Sequence, residues 1–447
     1  MKTETVSVIG LGFVGLPTAC VLANIKKKKK NVFSVCGIDK NINRIKQKVF
    51  SRNKYSEDIK LNKLIKSLPK NKAFSFSNNY KTISKSDTVI ISVGFDFNKK
   101  NKSTQLKNLK NLFYRTGKLL KKKSLLIIET TLPPGTCDQI IIPTLKKELR
   151  KRKMNIEDIY LSFSFERIMP GKGYLDSLIN NFRCYSGANS ASKMKCKNFL
   201  KKFINYKKFP LIELTSLIDC ESAKILENSY RAVNIAFIDE WTKYSNLTGV
   251  NLNGILSAIR KRKTHANIMN PGIGVGGYCL TKDPDFINYS NNIFLKNKLK
   301  FPIIDLANRI NSNMPTTSID FIKSKVKNFN KKKIIILGLS YKEDVSDIRF
   351  SPSLKLIEYF KKNKVKYKVH DPYIYEEKQK ELTNTLPKLN NFDLVIMCVG
   401  HSYYKKLNGK ILSLKPIYFD LNRVLKNSQI KFMKKNNYKL EVLGGNY

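Results

Sequence analysis

A single cysteine closes a glycine-rich stretch in the second half of the chain. Cys279 stands in "NPGIGVGGYCLTKDP", residues 270–284, and Lys282 and Asp283 follow it closely. Glycines at this density let a backbone approach a ligand, or turn where a side chain would not fit. Cys279 is therefore either a small buried hydrophobic residue beside a turn or a nucleophile presented to a substrate. The loop alone leaves both interpretations open.

A second glycine cluster lies close to the N-terminus. Gly10, Gly12 and Gly15 follow the apolar run "VSVI" and precede the helical pattern "LPTACVLA". In this setting the spacing predicts a turn whose backbone approaches a pyrophosphate at a helix N-terminus. Asp39 ends the next apolar run, where a carboxylate accepts ribose hydroxyls and repels a 2′-phosphate. The pattern predicts NAD rather than NADP, a preference that the nearby Arg44 weakens.

Two further patterns are weaker when taken alone. Thr131 lies in "ETTLPPGT" after an apolar run, at the strand end where α/β proteins bind ligands, but an ordinary Pro-Pro-Gly turn explains this motif too. Lys224 and Asn228 are four residues apart and share a helix face, so an ammonium and an amide could stabilise an oxyanion together. A solvated lysine is the simpler explanation on a chain so rich in lysine.

The formal net charge of +50 over 447 residues comes from lysines spread along the whole chain. This distribution predicts a solvated surface and weak polyanion binding, with no specific nucleic-acid site. No apolar run reaches the roughly 20 residues of a membrane span, and the N-terminal residues do not resemble a signal peptide, so we expect a cytoplasmic protein. The scattered cysteines and histidines predict neither disulfides nor a metal site.

Strand-like and helical patterns alternate in the outer parts of the chain. The predicted strands lie in "TVSVI", "VFSVCGID", "TVIISVG" and "LLIIETT", and later in "KKIIILGLSYK", "KYKVHDPYI", "FDLVIMCVG" and "PIYFDLNRV". Such alternation predicts parallel sheets with helices on both faces. The expected fold class is α/β, with two Rossmann-like doubly wound domains joined by a helical middle domain.

The middle region has helical periodicity from about Ile218, and Ser216 with Asp219 predicts its N-cap. Apolar residues lie on more than one face of this helix as far as Thr248, which predicts a homodimer built on the middle region. The expected domains are residues 1–210, which bind NAD, residues 211–314, which form the helical middle, and residues 315–447, which form a second Rossmann-like domain.

Six motifs occur in a fixed order: "GLGFVGLP", "ETTLPPGT", "ERIMPG", "ESAKILENSYRAVNIAFIDE", "PGIGVGGYCLTKDP" and "LGLSYKEDVSDIRFSP". Together they resemble the nucleotide-sugar 6-dehydrogenases, the group that oxidises UDP-glucose and UDP-N-acetyl-hexosamines. The resemblance extends from Val6 to about Val424. It implies cofactor contacts at Gly10, Gly12, Gly15, Asp39, Arg44 and Arg349, catalytic roles for Thr131, Glu166, Lys224, Asn228, Cys279 and Asp283, and substrate contacts at Gly276, Gly277, Lys282 and Lys342.

The family resemblance decides in favour of Cys279 as a covalent nucleophile. It implies a four-electron oxidation of a sugar C6 alcohol to a uronate in polysaccharide biosynthesis, a UDP-sugar substrate bound by the domain of residues 315–447, and a homodimer. Pro170 stands where UDP-glucose enzymes carry a glutamate, which favours the UDP-N-acetyl-hexosamine branch. Phe165 and His265 replace a proline and an arginine of the family pattern.

Three other interpretations of the sequence stay open. The chain could be a UDP-glucose 6-dehydrogenase, a two-domain dehydrogenase of the 3-hydroxyacid type, or a polyanion-binding protein without enzymatic activity. The 3-hydroxyacid enzymes lack both the glycine-loop cysteine and a second nucleotide-binding domain. A polyanion-binding protein would account for the net charge but for none of the six motifs.

Overall fold

The computed structural model describes residues 3–50, 55–98, 103–104, 106–296, 299–374 and 381–445. The chain forms two compact units, Met1–Glu227 with Asp285–Lys300 and Asn228–Pro284 with Phe301–Tyr447. The strands in chain order are β1 (Glu4–Ile9), β2 (Lys26–Lys27), β3 (Lys30–Asn31), β4 (Phe33–Ile38), β5 (Phe74–Ser77), β6 (Thr88–Ile91), β7 (Phe97–Asn98), β8 (Ser103–Thr104), β9 (Leu125–Ile128), β10 (Tyr160–Phe163), β11 (Arg183–Gly187), β12 (Leu211–Glu213), β13 (Lys333–Leu337), β14 (Lys366–His370), β15 (Leu382–Thr383), β16 (Leu394–Met397), β17 (Ile417–Asp420) and β18 (Leu440–Val442).

The helices connect these strands and fill the middle of the sequence. In chain order they are α1 (Gly15–Asn24), α2 (Ile42–Phe50), α3 (Ile59–Ser67), α4 (Leu106–Gly117), α5 (Ile142–Arg150), α6 (Tyr174–Ile179), α7 (Ser190–Leu200), α8 (Leu217–Thr248), α9 (Leu252–Ile259), α10 (Asp285–Ile293), α11 (Pro302–Lys325), α12 (Pro352–Lys362) and α13 (Asn427–Lys435). In the described part of the chain, no helix is both long and apolar enough to cross a membrane. The cytoplasmic location stays a prediction.

The first unit contains an eight-stranded sheet in the order β12-β11-β10-β9-β6-β1-β4-β5. Its neighbouring strands are parallel except for the antiparallel pair β10 and β11. Strands β6 and β9 are buried along their whole length, as expected when helices cover both faces of a parallel sheet. Helices α1, α3 and α7 pack on one face, and α4 and α5 pack on the other.

The second unit contains a six-stranded, fully parallel sheet in the order β15-β14-β13-β16-β17-β18. Helices α11 and α12 pack on one face and α13 packs on the other. The α/β class with two Rossmann-like sheets and a helical middle region is confirmed, and each of the eight strands predicted above is present. A second parallel sheet also argues against the two-domain 3-hydroxyacid interpretation.

The two sheets repeat one local geometry at the end of their central strand. Gly10 follows β1 with φ of +90°, and its N–H donates to Ile38 O at 2.8 Å. Gly338 follows β13 with φ of +99°, and its N–H donates to His370 O at 2.9 Å. An added Cβ would lie 2.8 Å from Ser92 O at the first position and 2.5 Å from Val399 Cβ at the second. Only glycine fits at either turn.

Helix α8 begins as the sequence predicts. Ser216 Oγ accepts from Asp219 N at 3.2 Å, and the Asp219 carboxylate accepts from Ser216 N at 2.9 Å, which is a capping box. The predicted boundary between residues 314 and 315 falls inside α11, where Pro315 is buried. The three-domain division stays a prediction beside the two compact units.

Glu221 on α8 holds the "ETTLPPGT" segment of the first unit. Its buried carboxylate accepts from Gly135 N at 2.6 Å and Cys137 N at 2.9 Å. Burial raises the pKa of Glu221 from 4.5 to about 7. Between pH 4.5 and 7 the folded chain keeps a proton on Glu221 that the unfolded chain releases. The stability that comes from this raised pKa is therefore complete below about pH 4.5 and is lost as the pH rises through 7.

We expect Glu221→Gln to lower the thermal unfolding temperature most at pH 4.5 and progressively less toward pH 8. The substitution leaves one backbone N–H without an acceptor, a loss of about 1–3 kcal/mol, and it removes the titrating group. Calorimetry across this pH range measures the difference from wild type, and the exposed Glu157→Gln provides the matched control. A deficit that stays constant with pH would show that Glu221 does not titrate in this window.

Candidate active site

The N-terminal glycines form a cradle that is open on one side. A Cβ at Gly15 would lie 1.8 Å from Gly10 O, so this residue permits the close packing of α1 on the turn. Gly12 is exposed, and a Cβ there would meet nothing within 4 Å. The open backbone at Gly12, next to the N-terminus of α1, fits a dinucleotide pyrophosphate.

Asp39 is fixed by backbone donors at the carboxyl end of β4. Its Oδ2 accepts from Leu11 N at 2.9 Å and its Oδ1 accepts from Asn41 N at 2.8 Å. Because each carboxylate oxygen has a further lone pair and the side chain is only half-buried, Asp39 can still accept ribose hydroxyls. Arg44 lies on α2 with an exposed side chain. The glycine cradle and Asp39 together fit NAD.

The carboxyl ends of β6 and β9 are joined by buried polar contacts. Glu129 forms an ion pair with Arg183 at 2.9 Å and accepts from Ser92 Oγ at 2.9 Å. Burial raises the pKa of Glu129. Thr130 Oγ1 donates to Val93 O at 2.9 Å. These contacts fix the backbone that carries the half-buried Thr131 at the edge of the sheet.

Glu166 and Lys224 lie together in the first unit. Lys224 Nζ donates to Glu166 O at 3.2 Å and lies 5.5 Å from the centre of the Phe165 ring. The Glu166 carboxylate accepts from Ile168 N, which bends the segment after β10. Because Lys224 is only 9% exposed, the interpretation of Lys224 as a solvated surface lysine is wrong.

The thiol of Cys279 differs in environment from every other thiol of the chain. None of the eight cysteines, all within the described chain, forms a disulfide; six are buried, Cys36 is half-buried and Cys279 is exposed. The interpretation of Cys279 as a buried hydrophobic residue is therefore wrong. The backbone around it is a tight turn, since Lys282 N and Asp283 N donate to Cys279 O at 3.1 and 2.9 Å. We call residues 270–284 the Cys279 loop.

Asp283 connects the Cys279 loop to α8. It is fully buried, and its Oδ1 lies 2.6 Å from Lys282 Nζ. Its Oδ2 accepts from Asn228 Nδ2 at 2.8 Å. The structure therefore brings Asn228, Lys282 and Asp283 into one hydrogen-bonded cluster, and Lys282 and Asp283 belong to the same turn as Cys279.

Two glycines of the loop make room for a tyrosine ring. A Cβ at Gly276 would lie 2.8 Å from Tyr341 Cβ, and a Cβ at Gly277 would lie 2.6 Å from Tyr341 Cε2. Gly277 also has φ of +84° and donates to Arg349 O at 3.0 Å. The contacts of both glycines are with the protein, and their predicted contact with substrate stays a prediction.

Arg349 and Lys342 lie in the loop that follows β13. The Arg349 guanidinium forms a bidentate contact with Asp347, with Nη2 at 2.7 Å from Oδ2, and it lies 5.3 Å from the centre of the Tyr278 ring. Burial, together with the charge of Arg231, lowers the pKa of Lys342. Both predicted residues are therefore in the second unit, and Arg349 is close to the Cys279 loop.

Arg260, which lies near His265 upstream of the glycine-rich stretch, and Arg423 meet at the start of the Cys279 loop, and the sequence predicted a site role for neither. Arg260 Nη2 and Arg423 Nη1 donate to Asn270 Oδ1 at 2.6 and 2.9 Å. Burial and the like charge of Arg423 lower the pKa of Arg260. Arg423 follows β17, so its position after a predicted strand could have identified it as a candidate. Two guanidinium groups at such close range favour an anion nearby.

The predicted residues fall into two groups. The first unit contains Gly10, Gly12, Gly15, Asp39, Arg44, Thr131, Glu166 and Lys224, and the second contains Asn228, Gly276, Gly277, Cys279, Lys282, Asp283, Lys342 and Arg349. Backbone groups hold Asp39, Glu166 and Lys224 in the first unit, and buried side-chain contacts hold Asn228, Lys282 and Asp283 in the second. Their individual roles stay predictions.

Three family models match this chain. They are the NAD binding domain, the central domain and the UDP binding domain of the UDP-glucose/GDP-mannose dehydrogenase family, which match residues 4–204, 219–313 and 335–427. A UDP-N-acetyl-D-mannosamine dehydrogenase of Methanococcus vannielii is 30% identical over 463 aligned positions, which cover 99% of this chain and 97% of that protein.

Solved structures agree with these matches. The UDP-D-ManNAc dehydrogenase of Pyrococcus horikoshii has a TM-score of 0.80 and 25% identity, with 99% of both chains covered. The UDP-N-acetyl-mannosamine dehydrogenase of Staphylococcus aureus has a TM-score of 0.77 and 26% identity, covering 95% of this chain and 96% of that one. The cradle at Gly10–Gly15, the exposed Cys279 and the two parallel sheets thus occur in a chain that belongs to the UDP-glucose/GDP-mannose dehydrogenase family, the NAD-dependent nucleotide-sugar dehydrogenases.

Proposed function

We propose that this protein oxidises the C6 hydroxymethyl group of a UDP-N-acetyl-hexosamine to the uronate, with Cys279 as covalent nucleophile. The observation that carries the proposal is the exposed thiol on a turn that is anchored by the buried cluster of Asn228, Lys282 and Asp283. A thiol displayed on a rigid, glycine-lined turn is suited to attack an electrophilic carbon.

The glycine cradle and Asp39 would hold NAD, which would supply the hydride acceptor for both oxidation steps. Side chains of the protein supply the nucleophile that attacks the sugar carbon, the donors to the oxyanions and the group that takes the proton of water. The Cys279 thiolate adds to the C6 aldehyde and forms a thiohemiacetal, whose oxidation leaves a thioester. Lys224 and Asn228 are the candidates for stabilising the oxyanions of these steps, an effect typically of about 3–4 kcal/mol per donor.

Hydrolysis of the thioester completes the reaction. Water adds to the carbonyl carbon, the carbon–sulfur bond breaks, and the electron pair leaves with Cys279 Sγ. We assign deprotonation of the hydrolytic water to Glu166, because both oxygens of Asp283 already form hydrogen bonds inside the protein. Asp283 then serves to hold Lys282 and Asn228. Overall, one alcohol, two NAD⁺ and one water give one carboxylate, two NADH and three protons.

Several features support a UDP-N-acetyl-hexosamine as the substrate. The segment "ERIMPG" has Pro170 where UDP-glucose enzymes carry a glutamate, and the similar proteins named above act on UDP-N-acetylmannosamine. The positive charges of Arg260 and Arg423 beside the Cys279 loop suit a diphosphate. The UDP binding domain of the family matches the part of the chain that carries Arg423.

We also propose that the protein is a homodimer formed through α8. Tyr230, Phe237, Trp241 and Tyr244 recur at the spacing of one helix face and are 45–54% exposed, and Leu247 is 88% exposed. Ile255 and Ile259 on α9 extend the apolar surface of the same unit. So many large apolar side chains on one face favour a protein partner, and a second copy provides a matching apolar surface.

Cys279→Ser should stop the reaction after the first oxidation, because a serine hydroxyl is a far poorer nucleophile than a thiolate. The wild type should form two NADH per sugar consumed, and the variant should form acid slower by roughly a thousandfold or more. NADH absorbance with product analysis measures both quantities. Cys36→Ser changes a half-buried thiol on β4 and should retain the wild-type ratio; one NADH per sugar in the wild type would contradict the four-electron proposal.

Substrate choice is tested with a panel of UDP- and GDP-sugars. We expect a UDP-N-acetyl-hexosamine to give the highest kcat/KM and UDP-glucose a lower one, because "ERIMPG" lacks the second glutamate. NADH formation under saturating NAD measures each sugar. If UDP-glucose gives the highest kcat/KM, the protein is a UDP-glucose 6-dehydrogenase with the same mechanism; if no nucleotide sugar reduces NAD, the mechanism fails as well.

Trp241→Glu should weaken the dimer, because a carboxylate would be buried without a partner in an apolar interface. Light scattering at micromolar concentration should give a dimer for the wild type and a larger monomer fraction for the variant. Met194→Glu on α7, which introduces the same charge at a side chain 61% exposed, should leave the dimer intact. A monomeric wild type would contradict the assembly.

A further inference from the structure

Two consecutive residues after β10 are tied to one face of α8. Lys224 Nζ donates to the backbone oxygen of Glu166 at 3.2 Å. The next residue, Arg167, contacts Glu227 with both terminal nitrogens, and Arg167 Nη1 lies 2.9 Å from Glu227 Oε2. Lys224 and Glu227 are three residues apart and therefore adjacent on the helix surface. The segment is held at two points by neighbouring side chains.

The Arg167–Glu227 contact is better defined than an ordinary surface ion pair. A bidentate guanidinium–carboxylate pair fixes the orientation of both groups as well as their distance. The guanidinium also lies 3.8 Å from the centre of the Phe182 ring, and the Arg167 side chain is only 17% exposed. The ring on one side and the carboxylate at the end leave the arginine little freedom to reorient.

Arg167 of this pair lies between the two residues whose contact orients the Glu166 carboxylate. That carboxylate accepts from Ile168 N, on the far side of Arg167, so the backbone of these three residues sets its direction. A shift of the backbone at Arg167 would move both the carboxylate and the carbonyl oxygen that receives Lys224. A misplacement of 1 Å costs about 100-fold in rate when catalysis depends on such alignment.

We propose that Arg167 and Glu227 are positioning residues, which keep the Glu166 carboxylate and the Lys224 ammonium aligned for hydrolysis of the Cys279 thioester. The proposal rests on the function proposed above. Hydrolysis is the step that needs both groups at once, with Glu166 taking a proton from water as its oxygen adds to the thioester carbon. Lys224 meets the negative charge on the carbonyl oxygen, and Cys279 leaves as a thiolate.

The test is a comparison of Arg167→Met, Glu227→Gln and the double variant by rapid mixing. Each should show a fast phase of about two NADH per active site, followed by a steady state slower than wild type by about 10- to 100-fold. Intact mass spectrometry during turnover should show the acyl group on the protein. The double variant should be no slower than the slower single variant, because both substitutions remove one interaction.

A matched control is available in the same unit. Lys193 and Glu213 form an ion pair whose side chains are 18% and 46% exposed, close to the 17% and 42% of Arg167 and Glu227. Lys193→Met should leave the steady-state rate and the amount of acyl-enzyme at the wild-type values. Arg167→Lys should recover only part of the rate, since an ammonium cannot make the bidentate contact.

Three outcomes would overturn the positioning role. Arg167→Met could lower the unfolding temperature and slow every phase equally, it could accumulate no acyl-enzyme, or the effects of the two single substitutions could add. A failure of the proposed function is distinguishable, because it would appear in the wild type as one NADH per sugar. The wild type would then also carry no adduct on Cys279 under any quenching condition.

Discussion

The arrangement around Cys279 depends on one buried carboxylate. Asp283 is fully excluded from solvent, and a charge in that position is tolerated only when it is paired and hydrogen-bonded. Lys282 and Asn228 meet this requirement from the loop and from α8. Loss of Lys282 would leave the buried charge without its counter-ion, and loss of Asn228 would leave one carboxylate oxygen without that donor. The cluster therefore joins the position of the nucleophile to the longest helix of the described chain.

Helix α8 holds several separate segments through residues three and four positions apart. Glu221 holds the turn after Thr131, Lys224 holds the backbone at Glu166, and Asn228 holds Asp283. Glu221 and Lys224 lie three residues apart in the first unit and share one helix face, so one stretch of α8 holds two motifs of that unit.

The two sheets share a topology but differ at the corresponding carboxylate. Asp39 in the first is half-buried and can still accept hydroxyl groups. Asp371 in the second accepts from Leu339 N and Ser340 N and lies 3.1 Å from His401 Nε2, and both Asp371 and His401 are fully buried. Its oxygens are therefore not available to a ribose. This difference agrees with NAD binding in the first sheet, where the family's NAD binding domain matches.

Much of this protein was determined by local sequence. Apolar runs predicted β1, β4, β6, β9, β13, β14, β16 and β17, because strands of a sheet covered by helices on both faces are largely apolar. The capping box at Ser216 could be predicted because its contacts lie within three residues, and the glycine cradle because the spacing of Gly10, Gly12 and Gly15 is itself a local pattern. Short or partly exposed strands such as β5, β12 and β18 lack that signal and were missed.

Tertiary structure decided what depends on residues far apart in sequence. Lys224 looked like one more solvated lysine, and only the fold shows it buried against Glu166. The Arg167–Glu227 and Arg260–Asn270–Arg423 contacts likewise join segments with no common pattern. Spacing predicts which residues share a helix face or a strand end, because that geometry is local. Burial and hydrogen-bond partners depend on how distant segments pack, and no sequence period encodes them.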